Sequence, residues 1–524
     1  MKQIRCIIIG GTIIMLVFVM VACQLQEQPT PTPYPPFMPF TKTPGGSTPI
    51  SQTPTSLPKL VLSPTPTSTS TPTPTPHKTL VATSQSSPID ATPVPIFGLQ
   101  MSNVSVERGL DQVVAAKAYW VRLGGGGLHW AAVEPNKGDR NWDAILGVET
   151  QFINSAYSGL ETIVTIANTP PWAQNISGYS CGQIKPDALE AFADFMHDVV
   201  DRYSQPPYNV KYWELWNEPD IDPAFVAPDS PWGCWGDKDA QYYGGEYYAE
   251  MLKVVYPKIK AADPDAQVLV GGLLLDCDPT DPPETAPDSG EYKDCSPALF
   301  LEGILQNDGG NYFDGISFHA YDYYYGELGR YGNPGWHSDS KTTGPSLIAK
   351  SRYLHALLAK YLQSNKDLYN TEVAVLCGRS GQEPVCQDDD FNNTKSYYLA
   401  QVYTAALFEK FQANLWFSLQ GWRASGLVDN ALNPYPVYDA FQFGAGQLFG
   451  ARPERIITTF PGVRCYEFSR GESRLWVLWS LDGDPHSIEL PFSPDEIFDV
   501  YGEKLQTIQT LTITLAPLYI TWIP

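Results

Sequence analysis

From residue 95 to about residue 450 the chain alternates eight times between a short apolar segment and a longer amphipathic one. The short segments are IFGLQM at 96, AYWVRLG at 118, LETIVTIA at 160, VKYWELWN at 210, AQVLVGGL at 266, FDGISFHAY at 313, DLYNTEVAVL at 367 and ANLWFSLQGW at 413. They are rich in β-branched and aromatic residues and bounded by turn formers, the mark of buried strands. Between them lie runs of helical period. In KPDALEAFADFMHDVVDRY, residues Leu189, Phe192, Phe195, Met196, Val199 and Tyr203 form one stripe. Runs of the same kind start at Gly245, Ser346 and Asn393. A strand that returns through a helix must lie parallel to the next strand. Eight such units predict an α/β fold, a (β/α)8 TIM barrel over 95–450. The rival is a doubly wound sheet, but GGGG at 124–127 lacks both the GxGxxG spacing and a following Lys-Ser/Thr. It marks only a loop that needs conformational freedom.

The flanks read differently. After residue 450, RLWVLWSLDG, SIELPF, EIFDVYG and LTITLAPLYITWIP are short strands between turns, predicting a small all-β sandwich over 451–524. Residues 24–94 are a Pro/Thr/Ser tract that cannot bury enough surface to fold, a disordered spacer open to O-glycosylation. Before it, Lys2 and Arg5 precede an apolar run from Cys6 to Ala22 that is short for a membrane span, as in an export signal. MVAC at 20–23 resembles the bacterial lipobox, which implies cleavage before Cys23, lipidation of Cys23 and a cell-surface location anchored in the membrane.

Cysteine usage agrees with export. Cys277 with Cys295, and Cys377 with Cys386, are close in sequence within Pro/Asp/Gly-rich segments, as loop staples are in oxidising compartments. Cys181 and Cys234 are left as a third pair, and Cys465 as a lone buried thiol. No CxxC pair or histidine cluster has metal-ligand spacing, so no metal is expected. DCDPTDPPE and CQDDD lack the EF-hand register and read as solvated loops. The formal charge is −23, which repels nucleic acid and points to neutral partners. Aromatics are 13% of the chain, with 14 Trp and 30 Tyr, enough for a large core and for platforms under sugar rings.

In a barrel of this kind chemistry is done at the C-terminal ends of the strands. The fourth segment closes on Asn217 and Glu218, the sixth on His319 and Tyr321, and the seventh carries Glu372. A barrel brings these ends together, so Glu218 and Glu372 can face each other. Two facing carboxylates, one protonated and one ionised, are what cleavage of a glycosidic bond needs. Arg122 closes the second segment and Trp422 the eighth. Arg122 has two candidate partners, Glu372 and the buried Glu214, which strand alternation places on the side of Glu218. Trp232 and Trp235 offer a wall for the cleft.

WELWNEPD on the fourth strand, FHAY on the sixth and TEV on the seventh resemble glycoside hydrolase clan A, most closely family 39, the group of β-xylosidases and α-L-iduronidases. The resemblance spans roughly residues 95–524, and a terminal β-sandwich fits it. It implies Glu218 as general acid/base, Glu372 as nucleophile, Asn217 on the sugar 2-hydroxyl, His319 and Tyr321 lining that subsite, and Trp422 as sugar platform. It implies a retaining enzyme acting on a β-linked oligo- or polysaccharide, with no cofactor and no protein partner. The alternative is a non-catalytic, glycan-binding surface lipoprotein that uses the same cleft. The sugar, exo or endo action and oligomeric state are not legible in the sequence.

Overall fold

The computed structural model describes residues 95–124, 127–283, 294–337 and 345–523, and the backbone of 4–7 and 22–25. Ile4–Ile7 and Ala22–Leu25 pair as an antiparallel ribbon, with Cys6 opposite Cys23. The rest of the expected leader, the Cys23 side chain and the Pro/Thr/Ser spacer lie outside the described residues.

The barrel is closed. Its strands are Phe97–Met101, Trp120–Leu123, Glu161–Ala167, Tyr212–Asn217, Gln267–Leu273, Gly315–Tyr324, Asp367–Leu376 and Ala413–Trp416. Each pairs in parallel with the next, and the eighth pairs with the first. The helix expected after the third strand runs Leu189–Tyr203 and buries all six stripe residues. Burial of each such large apolar side chain stabilises by about 1.5–3 kcal/mol. Among the described residues no helix is long and apolar enough to cross a membrane.

Inside the barrel, side chains stack in layers, because every second residue of a strand faces inward. Trp120, Ile163, Leu269, Tyr369, Ala413 and Leu415 form an apolar plug toward the N-terminal ends of the strands. Two residues further along the same strands come Arg122, Thr165 and Thr371, with Glu214 two beyond Tyr212, which packs on the plug. The interior therefore changes from apolar to charged within one repeat of the pleat.

Arg452–Ile456, Val463–Arg470, Ser473–Ser480, Leu518–Trp522 and Glu496–Phe498 form an antiparallel five-stranded sheet. A two-stranded sheet, His486–Glu489 with Thr510–Ile513, covers one face of it through Cys465, Trp476, Leu478, Ile488, Leu511 and Ile513. The opposite face, with Tyr466, Phe468, Trp479 and Tyr519, joins the core of the barrel. Tyr466 lies 4.9 Å from Phe408, and Tyr519 5.3 Å from Phe443, on the last two barrel helices.

Among the described residues there are three disulfides, Cys181–Cys234, Cys277–Cys295 and Cys377–Cys386, and Cys465 is a buried free thiol. Cys181–Cys234 ties the segment after the third strand to the segment after the fourth. Cys377–Cys386 closes the loop directly after the strand that carries Glu372. Loop closures of this kind stabilise by roughly 2–4 kcal/mol.

Candidate active site

The site is organised around one buried guanidinium. Arg122 donates from Nε to Glu214 Oε2 at 2.8 Å, from Nη2 to Asn217 Oδ1 at 2.8 Å, and from Nη1 to Gln100 Oε1 at 2.8 Å and Glu372 Oε1 at 2.5 Å. Both candidate partners of Arg122 are thus real. Glu214 is fully buried and also accepts from Thr165 at 2.7 Å and Thr371 at 2.9 Å. Burial alone would raise the Glu214 carboxyl, but Arg122 and the Thr165 hydroxyl outweigh it and hold it low. Burial opposes the charge on Arg122 as well, and Glu214 and Glu372 outweigh that, so its proton is held more tightly than usual. A charge this deep persists only where such partners surround it.

Glu372 takes its other hydrogen bond from the Tyr321 hydroxyl, on Oε2. Both oxygens of Glu372 therefore accept hydrogen bonds, an arrangement that suits an anion. Burial first, and the Glu372 charge next, push the Tyr321 phenol far above its ordinary range, so it remains a donor.

Glu218 sits in different surroundings. Its Oε1 is 2.8 Å from His319 Nδ1, and its side chain is 12% exposed. Burial is the main cause that pushes its carboxyl up to about 7, with Arg122 and Lys350 opposing and Asp276 assisting. His319 is fully buried, and burial pushes its imidazole down to about 4, so it is neutral at working pH. Its Nε2 has no hydrogen-bond partner among the described residues and lies against Gly272, where an added Cβ would come within 2.3 Å. With no acceptor at Nε2, the ring proton belongs on Nδ1, donated to Glu218 Oε1. That leaves Glu218 Oε2 to carry an acid proton.

One donor atom from each of Glu218, His319 and Glu372 lies within 4.8 Å of the other two. The compactness is that of a metal site, but the Arg122 guanidinium 2.5 Å from Glu372 is the wrong neighbour for a cation. The chemistry of the set is that of two carboxylates in unlike environments.

Local backbone features aim these groups. Strict alternation from Glu214 would turn Trp216 into the barrel. Trp216 instead has φ +77 and packs outward, 5.2 Å from Trp235 and 6.1 Å from Phe192. That break, with φ +50 at Glu218, lets both Asn217 and Glu218 reach the mouth. Glu372 does not end its strand; it lies within Asp367–Leu376, at a register irregularity between Asn370 and Glu372. The bulge is why adjacent Thr371 and Glu372 both turn inward.

Two expectations are corrected. Trp422 does not end the eighth strand, which stops at Trp416; it stands six residues on, in a loop, 37% exposed. Arg423 lies 5.4 Å from the rings of both Trp422 and Tyr323. Trp235 is not a cleft wall: it is fully buried. Sequence reasoning missed Gln100, Thr165, Thr371 and Lys350. The first three follow from inward alternation, and each looked like an ordinary strand residue.

No family model and no curated protein matches the chain. Solved structures do. A family 39 glycoside hydrolase from Bacteroides cellulosilyticus WH2 matches with a TM-score of 0.59 and 17% identity, over 82% of this chain and 81% of that one. A GH30 endoxylanase from Clostridium papyrosolvens C71 matches with a TM-score of 0.52 and 13% identity, over 82% and 96%. This chain shares its fold with these glycoside hydrolases. A monomeric β-xylosidase from Caulobacter crescentus CB15 shares it too, with a TM-score of 0.51 and 14% identity, over 82% and 97%. At these identities the likeness is one of architecture, and a shared fold does not by itself fix a function.

Proposed function

We propose that this chain is a retaining glycoside hydrolase acting on a β-linked saccharide, with Glu218 as acid/base and Glu372 as nucleophile. The observation that carries this reading is the pair itself. An oxygen of each carboxyl group lies within 4.8 Å of the other, one group pushed up to about 7 and the other held by Arg122 and Tyr321. Retaining enzymes need the two groups about 5–5.5 Å apart, whereas inverting ones leave about 6.5–9.5 Å for a water. Glu218 Oε2 gives its proton to the leaving oxygen while Glu372 attacks the anomeric carbon. Glu218 then takes a proton from the water that releases the sugar. Asn217 uses its carbonyl oxygen on Arg122 and keeps its NH2 for the sugar 2-hydroxyl. Trp422, exposed in the loop after the eighth strand, is a sugar platform. No cofactor enters. A protein that only bound glycan would need neither a proton donor nor a nucleophile so arranged.

Hydrolysis of aryl β-glycosides tests the reading, and β-xylosides come first because structural neighbours are a β-xylosidase and a xylanase. Proton NMR should show the β-anomer as first product; an α-anomer would exclude retention. The proton on Glu218 also sets a pH dependence. The acid works while protonated, so kcat/KM should be full below about 7 and fall as pH rises through that value. The limb should disappear in Glu218→Ala assayed with an activated aryl glycoside. A wild-type profile flat from pH 6 to 9 would count against Glu218.

We also propose that the chain is exported and anchored to the cell surface through lipid on Cys23, with residues 24–94 as spacer. Metabolic labelling with a fatty acid should mark the wild type and not Cys23→Ser. An unlabelled wild type rejects the anchor.

A further inference from the structure

One buried charge has no place in the mechanism above. Lys350 lies on the helix Ser346–Lys360, between the sixth and seventh strands. It sits on the helix's apolar stripe, three residues after Leu347 and four before Leu354, and only 3% of it is exposed. Its Nζ donates to the carbonyls of Leu274 and His319, each at 2.7 Å, and to no carboxylate among the described residues. The Trp336 ring lies 5.7 Å away. Burying an ammonium is costly, and a stripe position normally carries an apolar residue.

The two carbonyls complete a circuit. His319 reaches Glu218 through Nδ1 at 2.8 Å. Two residues along the chain from Glu218, Asp220 accepts from the backbone N–H groups of Leu274 at 2.9 Å and Leu275 at 2.8 Å. Leu274 in turn offers its carbonyl to Lys350, which closes the ring on His319. The links are buried or partly buried, and both ends of the ring are the catalytic acid.

We propose that Lys350 is a positioning residue for the acid/base: its ammonium locks the ring that holds Glu218 against His319, and its positive charge keeps the proton of Glu218 releasable. The inference rests on the acid/base reading of Glu218. Lys350 faces Glu218, Asp220, Asp276 and Asp322. Asp322 is itself tied to Ser346 and Tyr398. Glu218 faces the cations Arg122 and Lys350 and the acid Asp276, with Asp220, Glu372, His319, Tyr321 and Tyr323 also within its field. Burial pushes Lys350 down to about 8, against the surrounding acids. It is therefore still charged where Glu218 titrates.

Charge removal of opposite sign makes the test. In Lys350→Met the basic limb of kcat/KM should move to higher pH by about one unit, because a stabilising cation is lost. Its kcat should fall more for poor leaving groups than for activated aryl ones, since the acid is mispositioned. In Asp276→Asn the limb should move to lower pH, because a neighbouring anion is lost. Lys350→Arg, which keeps the charge, should leave the limb near its wild-type position. A merely structural role would lower activity without moving the limbs in opposite directions. A Lys350→Met limb at the wild-type pH, or both variants moving the same way, overturns the proposal. If Lys350→Met is not recovered folded, an Asp276→Asn limb that stays put overturns it instead. A limb that persists in Glu218→Ala overturns the acid assignment itself, and this inference with it.

Discussion

Glu372→Ala should lower kcat for aryl β-glycosides by at least about 10⁴-fold, the scale on which nucleophile removal acts. Without the carboxylate no glycosyl-enzyme forms. The fold should survive, because Arg122 keeps Glu214, Gln100 and Asn217 as acceptors when Glu372 is gone. A thermal melt near that of wild type, beside lost turnover, is therefore the expected pair of results. The cavity left by the side chain also admits a small anion. Azide should attack an activated β-glycoside from the vacated face and give the α-glycosyl azide. A variant within tenfold of wild type would remove Glu372 from the chemistry.

Glu218→Ala should behave differently, and the difference separates the two acids. General acid catalysis contributes about 10²–10⁴-fold, and it matters most when the leaving group is a poor one. Alkyl glycosides and oligosaccharides should lose that much, while activated aryl glycosides, which depart without a proton, should still form the glycosyl-enzyme. Release of that intermediate then becomes slow, because no base activates water. Azide needs no base, so it should restore turnover and give the β-glycosyl azide. Opposite azide anomers from the two variants place each carboxylate on its own face of the sugar. The same anomer from both, or equal losses for good and poor leaving groups in Glu218→Ala, would reverse or void the roles.

How much of this was legible before the fold was known depends on the range of each signal. The eight strand–helix units are local patterns, since period 2 and period 3.6 are written residue by residue. The acid at the end of WELWNEPD is local too: an amide, an acid and a proline after a buried strand make a poor structural ending. The disulfides Cys277–Cys295 and Cys377–Cys386 join neighbours in sequence, and Cys181–Cys234 followed by elimination.

Geometry between strands was not legible. Alternation from Glu214 placed Glu218 inside correctly but for the wrong reason, because φ +77 at Trp216 breaks the pattern and the inward turn is set again at Asn217. The irregularity at Asn370–Glu372 likewise arises from pairing with two neighbours, which no single strand encodes. The eighth segment looked ten residues long because its apolar character continues past Trp416, yet the backbone leaves the sheet there and carries Trp422 into an exposed loop. Lys350 lies within the helical run that starts at Ser346, and nothing in that pattern singles it out; only the packed structure shows its ammonium among main-chain carbonyls. The sequence thus determined the barrel, its two acids and its loop staples, because each depends on contacts short in sequence or on a repeated period. The tertiary structure decided which acid is buried beside a histidine and which is held by Arg122. Burial and Coulomb pairing depend on distances between strands far apart in the chain, and those distances exist only once the barrel has closed.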